Sequence, residues 1–491
     1  MEISDRIAKN LGQVFTPPAI VNLMLDSIGY SGPDILCKRV LEPSFGDGAF
    51  LEEIVKRYIL SAQKEGWNEE RTKRGIENCV CGVEIDDRLF QTTIASLDRL
   101  AISFGIGGIS WKLENKDFLL SERKKEYQIV VGNPPYIRLH HLRKETRDRL
   151  RARFKFCKRG TTDIYIAFFE LGLSMLSKDG VLAYITPNTF MKNTSNQTFR
   201  DYISANNLMS MFIDFGSYRI FENVNTYNCI SILQRDRTSN SFSYHRSLSG
   251  KPKCTNVLRC QDYIGRKFIF GDKEELRLLS KVQSRKPLGL IANVQYGLCT
   301  QRDDVYISHS VEDTDRDYCL FNGQKMERAI LRPIVKGSRM KDGKKRRIIF
   351  PYRKVGNRWT AIPESKMRRD YPYLYNYLLS HKDSLLKRDA DKGVLWYEFG
   401  RSQSIQTIHK KKLIIDQIVN GKVNVCQVDS DTMAYSGIIL TLKWDKTPLH
   451  DIKEMLGTDE FLKYARFLGK DMQNDYKTIT TSIIRQYGIR G

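Results

Sequence analysis

The chain has 491 residues, with 80 Lys and Arg against 57 Asp and Glu, a formal charge of +23. That length exceeds one ordinary domain and predicts two, while the positive excess favours a polyanionic partner. No apolar run is long enough to span a membrane, and the ten cysteines lack paired metal-ligand spacing, so neither a membrane protein nor a zinc site is expected and the metal set is none.

The first candidate strand ends in Arg39-Val40-Leu41-Glu42-Pro43-Ser44-Phe45-Gly46-Asp47-Gly48, a glycine-containing turn, followed by a helix from Leu51 to about Lys64. Gly46 and Gly48 permit a ligand to approach the backbone. The spacing is not the pyrophosphate fingerprint, so a dinucleotide is not expected. Cys79 to Asp86 reads as a second apolar strand ending in acids. In a doubly wound sheet, an acid there accepts from ribose hydroxyls; Glu84 is either such an acceptor or a solvated strand-end carboxylate. A third strand starts near Ile109 and ends at Asn115-Lys116-Asp117-Phe118. Ligands of open α/β sheets bind at the carboxyl ends of strands, where these segments converge.

The apolar run Tyr127 to Val131 and Gly132 lead into Asn133-Pro134-Pro135-Tyr136. Two prolines fix the turn and remove two amide donors, and Asn133 adds a side-chain acceptor beside the Pro134 carbonyl. The lone pair of an amine conjugated to an aromatic ring is delocalised. Two acceptors gripping its hydrogens localise that pair, and Tyr136 can stack on the ring. A rigid strand-to-loop turn is the plainer alternative. Immediately downstream, Arg138, Arg143, Lys144, Arg147, Arg149, Arg151, Arg153, Lys155, Lys158 and Arg159 form a basic arm. It would meet phosphates, or else be a solvated helix partly neutralised by Glu145 and Asp148.

Strand and helix signals alternate to about Arg235, and Asp236 to Ser241 is turn-rich. This predicts a first domain over 1–240, a bridge over 241–287 with an amphipathic helix near Lys273 to Gln283, and a second domain over 288–491. If the polyanionic partner is a nucleic acid, the second domain offers Gln301, Arg302, Arg339, Lys344 to Arg347, Arg401 and Gln403; Arg and Gln can read base edges bidentately, whereas lysine clusters more often meet phosphate, so the base readers stay unassigned. The tyrosine-rich run Tyr371 to Leu378 has helical spacing, which favours core packing over a stacking platform.

The ordered motifs Gly12-Gln13-Val14-Phe15-Thr16-Pro17-Pro18, Leu41 to Gly48, Gly82-Val83-Glu84-Ile85-Asp86, Asp117-Phe118 and Asn133 to Tyr136 resemble S-adenosylmethionine-dependent adenine-N6 DNA methyltransferases. The chain is similar to the gamma-class, TaqI-like type II modification enzymes. Further similarity runs through Thr162 to Phe169, Gly180 to Asn188, Ile220 to Val224, Tyr296 to Thr300 and Trp396 to Arg401, covering nearly the whole chain. The resemblance implies a Rossmann-like class I methyltransferase sheet of α/β class, followed by a C-terminal α+β target-recognition domain. It implies that Thr16, Glu42, Pro43, Gly46 and Gly48 hold the methionine part of S-adenosylmethionine, and that Glu84 takes its ribose. Asp117 would accept from the cofactor's adenine amino group, with Ile85 and Phe118 packing on that ring and Pro135 lining the pocket. Asn133 and Pro134 would grip the target amine, Tyr136 would stack on the flipped adenine, and Phe221 would support it.

The expected reaction is direct methyl transfer to N6 of an adenine extruded from double-stranded DNA. A cytosine-C5 enzyme would need a thiolate nucleophile, usually in a Pro-Cys pair, and this chain has no such dipeptide. The same tetrapeptide would also serve a protein glutamine amide or an RNA amine, and a catalytically silent DNA-binding subunit is a further alternative. Arg138, Arg143, Lys144, Arg339 and Arg401 are the candidate DNA contacts. Met1 to Arg6 lacks an export signal's apolar core, so a cytoplasmic location is expected. With motifs beginning at Gly12, a preceding nuclease domain is not expected. The expectation is therefore a monomeric, stand-alone modification enzyme that protects host DNA from a separate cognate endonuclease.

Overall fold

The computed structural model describes residues 14–122, 126–221, 226–247, 250–337, 346–444 and 448–489. Gly12 and Gln13 of the first motif, Glu222, Asn223 and Val224 of a later one, and Arg339, Lys344 and Lys345 lie outside them. The chain divides into two compact units, 1–273 and 274–491.

The first unit is built on nine strands: β1 (Val40–Glu42), β2 (Val80–Glu84), β3 (Lys112–Asn115), β4 (Tyr127–Gly132), β5 (Leu176–Pro187), β6 (Met209–Asp214), β7 (Asn228–Gln234), β8 (Ser241–Arg246) and β9 (Lys253–Arg259). They lie in the order β3-β2-β1-β4-β5-β7-β6-β8-β9. The first five are mutually parallel, and β7 inserts antiparallel between β5 and β6. The two central parallel strands β1 and β2 are buried along their whole length, as expected where helices cover both faces.

Helices α1 (Pro18–Ser27), α2 (Ala49–Lys64), α3 (Glu69–Cys79), α4 (Asp87–Ser103), α5 (Lys144–Arg153), α6 (Tyr165–Met175) and α7 (Gln197–Ala205) complete this unit. In α2, Leu51, Ile54, Val55, Tyr58, Ile59 and Ala62 fall on one stripe and are buried against the sheet. Each large apolar side chain among them contributes roughly 1.5–3 kcal/mol when fully buried. The Asp86 carboxylate accepts from the Leu89 amide and caps α4, so the acid after β2 starts the next helix. Turn residues at 236–241 lie inside the sheet: β8 pairs with β6 and β9 with β8, so 241–259 continues the first unit's sheet.

The second unit begins at Glu274, within the helix Lys273–Gln283, whose bounds follow the amphipathic pattern. One four-stranded antiparallel sheet joins Ala292–Tyr296, Ile438–Leu442, Lys412–Ile415 and Val425–Val428; another four-stranded sheet joins Ile307–Ser308, Arg346–Ile349, Leu331–Lys336 and Met433–Tyr435. The tyrosine-rich run forms the helix Pro372–Ser380, which buries Leu374, Tyr377 and Leu378. Its helical spacing therefore marks core packing.

Candidate active site

Because β1, β2, β3 and β4 run parallel, Glu42, Glu84, Asn115 and Asn133 all fall at one edge of the sheet. The turn after β1 sets the geometry there. Gly46 has φ +54° and Gly48 φ +84°, backbone angles that a side chain rarely adopts. A Cβ on Gly48 would lie 2.5 Å from Thr93 Cγ2, and the Thr93 hydroxyl donates to the Gly46 carbonyl at 3.1 Å. A Cβ on Gly46 would be 3.8 Å from the Phe15 ring, which covers this glycine.

Glu84 is buried but well satisfied. One oxygen accepts from the amides of Ile85 and Asp86, each at 2.9 Å, and the other from the Gly46 amide at 2.9 Å. These bonds tie the end of β2 to the glycine turn and leave acceptor capacity on the second oxygen. Glu42, 2% exposed, stands in a different state: its Oε2 has no partner among the described residues. Burial, then the neighbouring charges of Asp47 and Glu84, pushes its carboxyl well above the ordinary range. Pro43 is buried beside it, and Ile85 presents an apolar side chain that is 61% exposed at the same edge.

Asn133 is held from the N-terminal segment. Its Nδ2 donates to the Val14 carbonyl at 2.8 Å and to the Thr16 hydroxyl at 3.1 Å. Both amide hydrogens are thereby committed, and Oδ1 stays buried without a partner among the described residues. Pro134 is buried and Pro135 half-buried. Among the described residues no backbone N–H donates to the Pro134 carbonyl. The Tyr136 hydroxyl donates to the Ile185 carbonyl at 3.4 Å and accepts from Asn228 Nδ2 at 3.2 Å. Burial raises that phenol far above its ordinary pKa, so it remains neutral. Phe221 and Tyr165 meet the Tyr136 ring edgewise, at centroid distances of 6.3 and 6.5 Å.

Other expected residues have local partners. One oxygen of Asp117 accepts from the Leu119 amide at 2.9 Å and caps the turn Phe118–Leu120. Phe118 is 3% exposed, with its ring 5.2 Å from Phe168, so most of its surface meets the core. Arg138, Arg143 and Lys144 are exposed, and α5 buries only Leu150. In the second unit, both Nη atoms of Arg401 are engaged, with Asp391 at 3.0 Å and Asp389 at 2.8 Å. Four contributors escaped the sequence reading: the Val14 carbonyl, Phe15, Thr93 and Asn228. Val14 and Phe15 lie in a motif singled out only for Thr16; nothing local marks Thr93 or Asn228.

Residues 57–221 match the family described as Eco57I restriction-modification methylase. The chain is 26% identical to the type II methyltransferase M.BstVI of Geobacillus stearothermophilus over 83% of its length and 78% of that protein's. It is 30% identical to M.XhoI of Xanthomonas vasicola over 46% of this chain and 43% of that one. Against the type II restriction enzyme and methyltransferase RM.Eco57I of Escherichia coli, identity is 26% over 60% of this chain and 33% of that one. The chain thus spans less than half of the latter two relatives. Among solved structures, the type IIL restriction-modification enzyme MmeI in complex with DNA superposes with a TM-score of 0.59 at 13% identity, covering 98% of this chain and 66% of that one. The expected fold class and the resemblance to type II modification enzymes are borne out by these matches.

Proposed function

We propose that this relative of the type II restriction-modification methylases transfers a methyl group from S-adenosylmethionine to N6 of an adenine flipped out of double-stranded DNA. The observation that carries the reading is the Asn133 amide: its nitrogen is tied to Val14 and Thr16, and its buried oxygen is left as an acceptor. A buried acceptor without a partner costs about 1–3 kcal/mol, which a ligand N–H would recover.

The donor set fits S-adenosylmethionine. Glu42 offers an unengaged buried carboxyl oxygen to the positively charged methionine end, which Thr16, Pro43, Gly46 and Gly48 would also line. Glu84 keeps acceptor capacity for a ribose hydroxyl, and Asp117 has one oxygen beyond its cap for the adenine amine. Ile85, 61% exposed, gives that ring an apolar surface, which Phe118 and Pro135 would extend. When bound, the cofactor supplies a methyl group on a sulfonium, already electrophilic.

The protein's task is then to present the amine. Asn133 Oδ1 and the Pro134 carbonyl accept its two hydrogens and hold its lone pair toward the methyl group. Tyr136 stacks on the base, its hydroxyl pinned by Ile185 and Asn228 and its edge pressed by Phe221. Stacking offsets part of the few kcal/mol that base extrusion costs. Arg138, Arg143 and Lys144 meet flanking phosphates. The setting we infer is cytoplasmic, with a monomeric enzyme marking host DNA against a separate endonuclease.

Labelled methyl transfer from S-adenosylmethionine to unmethylated plasmid DNA, followed by nucleoside analysis, tests this. N6-methyladenine at a fixed short sequence is the expected result. Label appearing only in RNA or in protein glutamine would overturn the substrate while keeping the amine pocket.

A further inference from the structure

The second unit contains a cleft of about 480 Å³ whose walls include Tyr296, Gly297, Arg302, Gln403, Gln417 and Ser436. Arg302 stands apart from its neighbours in how its guanidinium is used. Nε donates to one oxygen of Asp304 at 3.0 Å and Nη2 to the other at 2.6 Å. A carboxylate on that side takes the Nε edge and leaves the end-on edge, Nη1 with the second hydrogen of Nη2, as a fork. By contrast, Arg401 spends both Nη atoms on Asp391 and Asp389, and Arg388 spends its own on the carbonyls of Thr300, Glu398 and Trp396.

The backbone beneath Arg302 is held firmly. Its amide donates to the Thr300 hydroxyl at 3.1 Å, and Thr300 is fully buried. Gln301 adopts φ +58°, a left-handed conformation that costs a non-glycine residue of order 1 kcal/mol, and its side chain is fastened to the Asp389 carbonyl at 2.7 Å. Strain kept in a turn at the mouth of a cleft is characteristic of a binding segment. Positioned donors of this shape match one partner best among the base edges of DNA: a fork of two parallel N–H groups pairs with O6 and N7 of guanine.

We infer that Arg302 reads a guanine through the major groove, with Asp304 as the residue that positions its guanidinium. The inference rests on the proposed function and adds one base of the recognition sequence to it. Gln417, on the same cleft, supplies an amide for an adjacent position, whereas Gln403 Nε2 is spent on the Gly297 carbonyl at 2.9 Å.

The test compares the wild-type protein with Arg302→Ala, Arg302→Lys and Asp304→Asn, mapping methylated positions on plasmid DNA and measuring kcat/KM on duplexes varied one base pair at a time. The wild type should require a G·C pair at one position. Arg302→Ala should lower preference for that pair by about 5- to 150-fold while leaving discrimination elsewhere intact. Arg302→Lys, which keeps the charge without the fork, should also lose preference there, and Asp304→Asn should do so more weakly. Full discrimination at every position in folded Arg302→Ala and Arg302→Lys would overturn the inference alone, as would an even loss at all positions. A wild-type protein that marks no DNA would sink the proposed function itself.

Discussion

At Asn133 and Glu42 the same observation, a buried oxygen without a partner among the described residues, has opposite consequences for the fold. The Asn133 side chain also ties the N-terminal segment to β4 through Val14 and Thr16. Asn133→Ala is expected to lower methyl transfer by at least about 100-fold while retaining DNA binding; unchanged turnover would remove Asn133 from the mechanism. Glu42→Gln removes a carboxyl whose pKa is raised by burial and by Asp47 and Glu84. A group with a raised folded-state pKa destabilises the fold progressively as pH climbs from its unfolded value, about 4.3, through the folded one. The variant should therefore equal the wild type near that lower pH and become the more stable of the two at neutral pH, yet bind S-adenosylmethionine more weakly. Urea midpoints at the two pH values, beside calorimetric titration of the cofactor, decide this; a variant less stable at neutral pH would contradict it. The tetrapeptide was legible because its chemistry is local. The groups that hold it were not, since Val14 lies 119 positions from Asn133 and Asn228 lies 92 from Tyr136.

Among the elements, the alternation of strands and helices in the first half is legible from apolar runs and helical stripes, whereas the order of the strands in the sheet is set by pairings that no local run encodes; the acids at strand ends mark the edge proposed for the ligand. The turn-rich stretch at 236–241 is less informative, because a tight turn within a sheet and a domain boundary share the same residues. Only the pairing of β8 with β6 distinguishes them. Ion pairs between helices are equally hidden. Glu460, in the first turn of the helix Asp459–Leu468, receives Arg285 at 2.6 and 3.2 Å, with Lys281 at 3.2 Å. Lys281 belongs to the last turn of Lys273–Gln283, and Arg285 follows that helix by two residues. The Arg285 bonds, more than any other cause, hold the Glu460 carboxyl at about 2. With a depressed pKa, its stabilisation is present above the unfolded value and disappears as pH falls from about 4.3 toward 2. Glu460→Gln should cost roughly 1–3 kcal/mol at neutral pH, discounted for the exposed lysine, and little at pH near 2. Denaturant melts across that window check it, and a pH-independent difference would assign the effect to packing.

For the whole molecule, charge and pocket carry separable parts of the proposed activity. The +23 excess acts on DNA through screened, long-range attraction, whereas the acceptors at the β1 and β4 ends act over a hydrogen bond's length inside a buried edge. Added salt should therefore divide the two. Displacing the counterions of about 6–10 phosphates would lower DNA affinity by roughly 1,000- to 100,000-fold between about 50 and 200 mM salt. S-adenosylmethionine affinity, proposed to rest on Glu42, Glu84 and the glycine turn, should change by less than about threefold over the same range. Arg143→Ala with Lys144→Ala should flatten the slope of log affinity against log salt by about 0.9 for each phosphate that is no longer neutralised, with methylation still mapping to the same sequence. Anisotropy titrations at several salt concentrations measure the slope. A slope near zero in the wild type would mean that the basic surface does not meet the phosphate backbone, whatever the pocket does.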